Sequence, residues 1–166
     1  SEMDPILGGG GTVSHVSQRS YYLRTKPIQF ELGTPAVSQA VGFAAALNWL
    51  DELGLNQIQR HDAALSSYLV DGLKRLDGIT IMGDHESPHG HHGLIAFTLE
   101  GSDSMDVVNF FAKLGIATRG GGHCALPLHS SLGLSGTVRI SMGAYTTRAD
   151  IDTVLAALET YTSLTH

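Results

Sequence analysis

With 166 residues, 42% of them hydrophobic, the chain has enough material for one domain with a sizeable core, which excludes disorder over most of its length. Sixteen acidic residues against ten basic ones give a formal charge of −6, and the lack of a basic cluster argues against nucleic acid as a partner. One cysteine excludes an internal disulfide framework and fits a reducing, cytoplasmic address, while no apolar run is long enough to suggest a membrane span.

Residues 1–33 read as a loop followed by a hairpin, with Gly8-Gly9-Gly10-Gly11 leading into Thr12–Ser17 and then Tyr21–Arg24. The glycine run lacks the spaced glycines and the lysine of a phosphate-binding loop, so it is expected to be a mobile connector. Lys26-Pro27 ends any regular element. Gly33-Thr34-Pro35 opens the first helix, with Thr34 as N-cap and Pro35 at the first helical position, and Gly54 closes it. Gly42 inside that helix predicts a close packing partner. Asn56 starts a second helix whose Ile58, Leu65, Leu69, Leu73 and Leu76 form one apolar stripe. Trp49 and Tyr68 are read as packing residues.

The second half changes period. Ile79–Met82 and Leu94–Leu99 are predicted strands, Met105–Leu114 an amphipathic helix closed by Gly115, and Ile116–Thr118 a strand. A short irregular helix over Leu126–Leu134, a strand over Thr137–Met142 and a capped helix from Thr147 to about Tyr161 complete the order. The expected class is α+β: a small sheet packed with helices, preceded by a long helix pair and an N-terminal loop and hairpin.

Three stretches carry chemistry. Arg119-Gly120-Gly121-Gly122-His123-Cys124-Ala125-Leu126-Pro127 holds the only cysteine. A lone cysteine is commonly a small buried hydrophobe, but three consecutive glycines allow unusual backbone conformations, and Arg119 and His123 bring positive charge to a thiol that would act as a nucleophile. His85-Glu86-Ser87-Pro88-His89 fits the letters of a zinc-protease motif, yet Pro88 and the flanking Gly83 and Gly90 deny it the helix that would converge two imidazoles. With His91 and His92 it reads as a solvated loop able to pick up a metal opportunistically. Arg139, alternating with Val138 and Ile140, is either a surface arginine or a fork for a carboxylate.

The stretch from Gly115 to Leu128 resembles the active-site segment of SufS-type cysteine desulfurases, pyridoxal-phosphate (PLP) enzymes of the class-V aminotransferase family. Pro5–Gly11, Phe30–Pro35, the paired helices and the Thr137–Met142 strand follow in the order of that family's C-terminal part. The resemblance implies the small C-terminal domain of a fold-type I transferase over residues 55–166, a connecting helix over 34–54, and the end of the large domain over 1–33. It implies that Cys124 takes sulfur from L-cysteine as a persulfide, leaving alanine, and that Arg139 holds the substrate carboxylate with help from Arg119. It implies that Thr34 reaches the cofactor phosphate bound in the opposite subunit of a homodimer, and that the sulfur goes to an acceptor protein of iron–sulfur cluster assembly.

Two features depart from that pattern. Gly122 stands where the family usually has a histidine, and none of Lys26, Lys74 and Lys113 follows a histidine as the PLP lysine does. The chain begins at Ser1 rather than methionine, and the expectation is a C-terminal portion, inactive alone, that needs a PLP domain supplied upstream. A non-catalytic interaction domain, and within the enzyme class a selenocysteine lyase or other PLP carbon–sulfur lyase, are the alternatives.

Overall fold

A computed structural model describes residues 3–84 and 93–165, in two compact units divided between Leu53 and Gly54. The histidine-rich stretch His85–His92, with its zinc-protease letters, lies outside the described residues.

In the first unit, strands β1 (Val13–Val16) and β2 (Tyr21–Leu23) form an antiparallel hairpin. The glycine run is more ordered than a mobile connector requires. Thr12 is fully buried and its hydroxyl donates to Gly9 O at 2.8 Å, while Gly33 N donates to Gly10 O at 2.7 Å. Gly11 has φ +86, and a Cβ there would lie 3.1 Å from Gly33 O, so only glycine fits this crossing.

Helix α1 (Val37–Leu53) begins two residues later than Thr34 and Pro35 suggest. Thr34 sits in an exposed bend, not at the N-cap. Pro35 disfavours helical backbone at the residue before it, and its carbonyl takes the Val37 N–H at 2.8 Å, so the helical ladder starts from Ala36 O. No residue of α1 is buried, and Val41, Phe43 and Trp49 are half or more exposed. A Cβ on Gly42 would meet nothing within 4 Å, so the packing partner expected there is not found among the described residues, nor is Trp49 a core residue.

The second unit holds the core. Helix α2 (Leu55–Leu73) lays Leu65, Leu69 and Leu73 against an antiparallel sheet of β3 (Ile79–Met82), β4 (Leu94–Leu99) and β5 (Val138–Ser141), in the order β3-β4-β5. Phe97 on β4 and Phe111 on helix α3 (Ser104–Lys113) are wholly buried, as is Leu158 on helix α5 (Arg148–Thr165). The close helix approach lies at Gly72, where a Cβ would run into the Leu155 side chain of α5. Tyr68 packs as expected, under the Arg148 guanidinium at 4.0 Å from its ring centre, with its hydroxyl on Asp152.

Capping residues set the helix ends that matter for the site. Asp103 accepts from Met105 N at 2.7 Å at the start of α3, and Thr147 and Asp150 cap α5 reciprocally. At the end of α3, Gly115 N reaches Ala112 O and Ile116 N reaches Phe111 O, with Gly115 at φ +77. These two bonds form the glycine C-cap motif that satisfies the last helical carbonyls. They also engage the Ile116 N–H, so Ile116–Thr118 is not the strand that its apolar pattern predicts; only Arg119 reaches β5, as an isolated bridge.

Candidate active site

The cysteine loop is built on the free edge of β5. Arg119 N donates to Arg139 O at 3.1 Å and Arg139 N to Arg119 O at 2.7 Å; two residues on, Gly121 and Thr137 exchange the same pair of bonds at 3.1 Å each. Two such hydrogen-bonded pairs make a short antiparallel ladder, and directly opposed residues point to the same face. Arg119, Arg139 and Thr137 therefore share the face opposite Val138 and Ile140, which are buried in the core. Arg139 and Thr137 thus stand on one face, as alternation along the strand predicts.

The ladder requires small residues beneath it. A Cβ on Gly120 would lie 2.9 Å from Ser104 O, and one on Gly136 would lie 2.8 Å from Gly121 Cα and 2.9 Å from Ser104 Oγ. Ser104 Oγ in turn accepts from Gly121 N at 3.1 Å, which ties the loop to the first turn of α3. Because the neighbours at Gly136 include backbone, they cannot rotate away. Gly136→Ala is expected to cost about 1–3 kcal/mol by urea denaturation, the usual penalty of overpacking, and to loosen the cysteine loop.

After Gly121 the chain takes two left-handed residues in succession, His123 at φ +49 and Cys124 at φ +60. Neither is glycine, and such a conformation costs roughly 1–2 kcal/mol per residue. Ala125 N closes the turn on Gly122 O at 2.7 Å, and helix α4 (Leu126–Ser131) follows with proline in its first turn. Cys124 is exposed, and Arg119 Nη2 lies 3.7 Å from its Sγ. Arg139 Nε is buried and has no hydrogen-bond partner among the described residues. A donor desolvated in this way is costly unless a ligand completes it, and a guanidinium fork is suited to a carboxylate.

His123 differs from the expectation of a cationic neighbour for the thiol. Burial pushes its pKa below the ordinary imidazole value; a hydrogen bond to Thr137 opposes this, while Arg139, His129 and Arg119 push the same way as burial. This shift favours the neutral imidazole at His123, which leaves Arg119 as the charge beside the sulfur. Stability linked to His123 is full above its unfolded value near 6.5 and is lost as pH falls toward the lower folded value.

Sequence reasoning missed Thr137 and His129, which are buried polar residues, and Ser104. Alternation along the predicted strand Thr137–Met142 gives Thr137 the same outward face as Arg139; the signal for its burial lies in the histidines at 123 and 129, which contact it. Among the described residues no group of three His, Cys, Asp or Glu could hold a metal ion. Thr34 belongs to the first unit and the cysteine loop to the second.

Comparison with known proteins agrees with this architecture. The family model described as Aminotransferase class-V matches residues 1–154. The chain belongs to the class-V aminotransferase family. It is 35% identical over 158 residues to a cysteine desulfurase of Haloferax volcanii, covering 95% of this chain and 37% of the relative. A probable cysteine desulfurase 2 of Mycobacterium leprae is 36% identical over 158 residues, with coverage of 95% and 38%. The crystal structure of the cysteine desulfurase CsdA (S-sulfonic acid) from Escherichia coli superposes with a TM-score of 0.83 at 34% identity, covering 98% of this chain and 39% of that one. The chain therefore spans less than two-fifths of the length of these relatives.

The residues present do not make a PLP site on their own. Lys26 precedes Pro27 in the first unit, Lys74 caps the end of α2, and Lys113 is the last residue of α3. None of them stands on the loop or strand that carries Cys124 and Arg139. The donor set is suited to a carboxylate and a sulfur atom, not to an aldehyde cofactor.

Proposed function

We propose that this class-V chain is the sulfur-accepting C-terminal part of a cysteine desulfurase. The single observation carrying this reading is the juxtaposition of an exposed thiol on a left-handed loop with two arginines on one strand-edge face, one of them with an unpartnered buried Nε. In the net reaction, L-cysteine and the Cys124 thiol give alanine and a Cys124 persulfide. The substrate C–S bond breaks, an S–S bond forms, and a hydrogen takes the place of sulfur on the substrate carbon. Arg139 holds the substrate carboxylate in its fork, and Arg119 completes the pocket and faces the sulfur. The similarity to cysteine desulfurases supports this assignment.

The PLP, with its lysine, comes from outside these residues, and Thr34 is its phosphate contact from the opposite subunit of a homodimer. Helix α1, apolar and without a buried residue, supports an assembly in which further protein covers it. The desulfurase is of the SufS type, and an iron–sulfur assembly acceptor in the cytoplasm receives the persulfide sulfur. Domain limits at 34 and 55 belong to the same reading. The test is alanine formation from L-cysteine by the complete, cofactor-loaded protein: one alanine per sulfur released is expected, and no alanine would remove the assignment. A selenocysteine lyase would instead turn over selenocysteine and leave cysteine untouched.

A second reading, a non-catalytic interaction domain, is favoured by the residue type before each lysine, since none of Lys26, Lys74 and Lys113 follows a histidine as the PLP lysine does. The intact mass of the endogenous protein, with a search for a partner chain supplying a PLP lysine, separates the two.

A further inference from the structure

Three polar side chains at the cysteine loop, His123, His129 and Thr137, make two contacts whose donors are fixed by a carbonyl acceptor and a third that follows for a singly protonated His129. Ala125 O is a carbonyl and only accepts, so His129 Nδ1, 3.1 Å away, carries a proton. A neutral imidazole protonated there offers a bare Nε2, which faces Thr137 Oγ1 at 3.3 Å and takes its hydroxyl proton. His123 Nε2 lies 3.0 Å from both Thr137 O and Thr137 Oγ1; the first is a carbonyl, so this nitrogen donates. His123 Nδ1 is then a bare lone pair, buried and without a partner among the described residues. A second proton on His129 would set the threonine hydroxyl between two N–H groups and leave its own proton without that acceptor.

The relay brackets the nucleophile. Cys124 has His123 before it and Ala125 after it; the His123 ring ends on Thr137, and the Ala125 carbonyl leads through His129 to the same threonine. His129 and Thr137 are both buried, and the thiol's own contact is to Arg119 at 3.7 Å. We propose that this relay, His123 Nε2–H to Thr137 Oγ1–H to His129 Nε2 with His129 Nδ1–H on Ala125 O, fixes the two histidines in opposite tautomers and makes Thr137 and His129 positioning residues for Cys124. The role toward Cys124 rests on the persulfide reading above; the tautomers do not.

Nitrogen-15 NMR of the full chain at neutral pH reads the tautomers directly. The expected pattern is a protonated Nδ1 with bare Nε2 for His129 and the reverse for His123. In Thr137→Val the bare Nε2 of His129 shifts further toward the free pyridine-type position, because it has lost its donor, while Nδ1 stays protonated. In the complete, cofactor-loaded protein, Thr137→Val lowers kcat by roughly tenfold or more, since small misplacements of a reacting group cost up to about 10²-fold. KM for L-cysteine stays within about twofold, and Thr137→Ser restores kcat. The opposite tautomer at either histidine overturns the relay. Equal kcat for the valine and serine variants overturns the positioning role. If Thr137→Val does not fold, the tautomers in the unsubstituted chain and the serine variant's kcat decide. If the complete protein does not turn over cysteine, the desulfurase reading fails while the tautomer result stands.

Discussion

Replacing Cys124 by serine is expected to abolish persulfide formation and to lower L-cysteine-dependent sulfur release by the complete protein by at least about 10³-fold, the scale on which a lost nucleophile is felt. Serine preserves the shape of the side chain, and the left-handed backbone at 124 is held by the bonds of its neighbours, so the fold should be unchanged. Binding of substrate should survive, because Arg119 and Arg139 are untouched. The expected signature is a collapse of kcat with KM retained. An unchanged rate of sulfur release would remove Cys124 from the chemistry.

Arg139 carries the second large effect, with a different signature. Arg139→Lys keeps the charge but loses the planar fork, and Arg139→Leu loses both. Each should lower kcat/KM for L-cysteine by roughly 10²-fold or more, equivalent to about 2.7 kcal/mol of transition-state stabilisation. Folding stability should move the other way or not at all: Arg139 Nε is buried without a partner, and leucine removes that unpaired donor from the strand. A urea midpoint equal to or above that of the unsubstituted protein, together with the kinetic loss, marks a residue kept for its ligand. Arg139→Leu that unfolds the chain while Arg139→Lys retains full activity would make Arg139 structural.

Much of this arrangement is written in local pattern. The strands Ile79–Met82 and Leu94–Leu99 match their predicted limits because alternation and flanking turns define them, and Leu65, Leu69 and Leu73 are the stripe that α2 buries. The sequence misleads where one backbone group has two suitors. Ile116–Thr118 has the composition of a strand, yet the C-cap of α3 takes the Ile116 N–H. Thr34-Pro35 has the letters of a helix start, yet the Pro35 carbonyl captures the N–H that would begin the ladder.

In α1 an interior glycine at Gly42 and a tryptophan at Trp49 predict packing, and residue type alone does not say what covers a face. In the site, Cys124, Arg119 and Arg139 stand out by residue type and motif. Thr137 and His129 do not, because their meaning lies in a contact across the loop that no periodicity records. The displaced charge of His123 has the same origin: a histidine beside a cysteine reads as a cation until its burial and the two neighbouring arginines are seen.

The most direct measurement is mass spectrometry of the peptide containing Cys124, taken from the complete protein after a single turnover of L-cysteine in the absence of any acceptor or reductant. The result predicted here is the mass of one added sulfur on Cys124, formed in step with one alanine and lost on reduction. Alanine formed while Cys124 remains unmodified would contradict the account, since the sulfur would then have left by a route that does not pass through this loop.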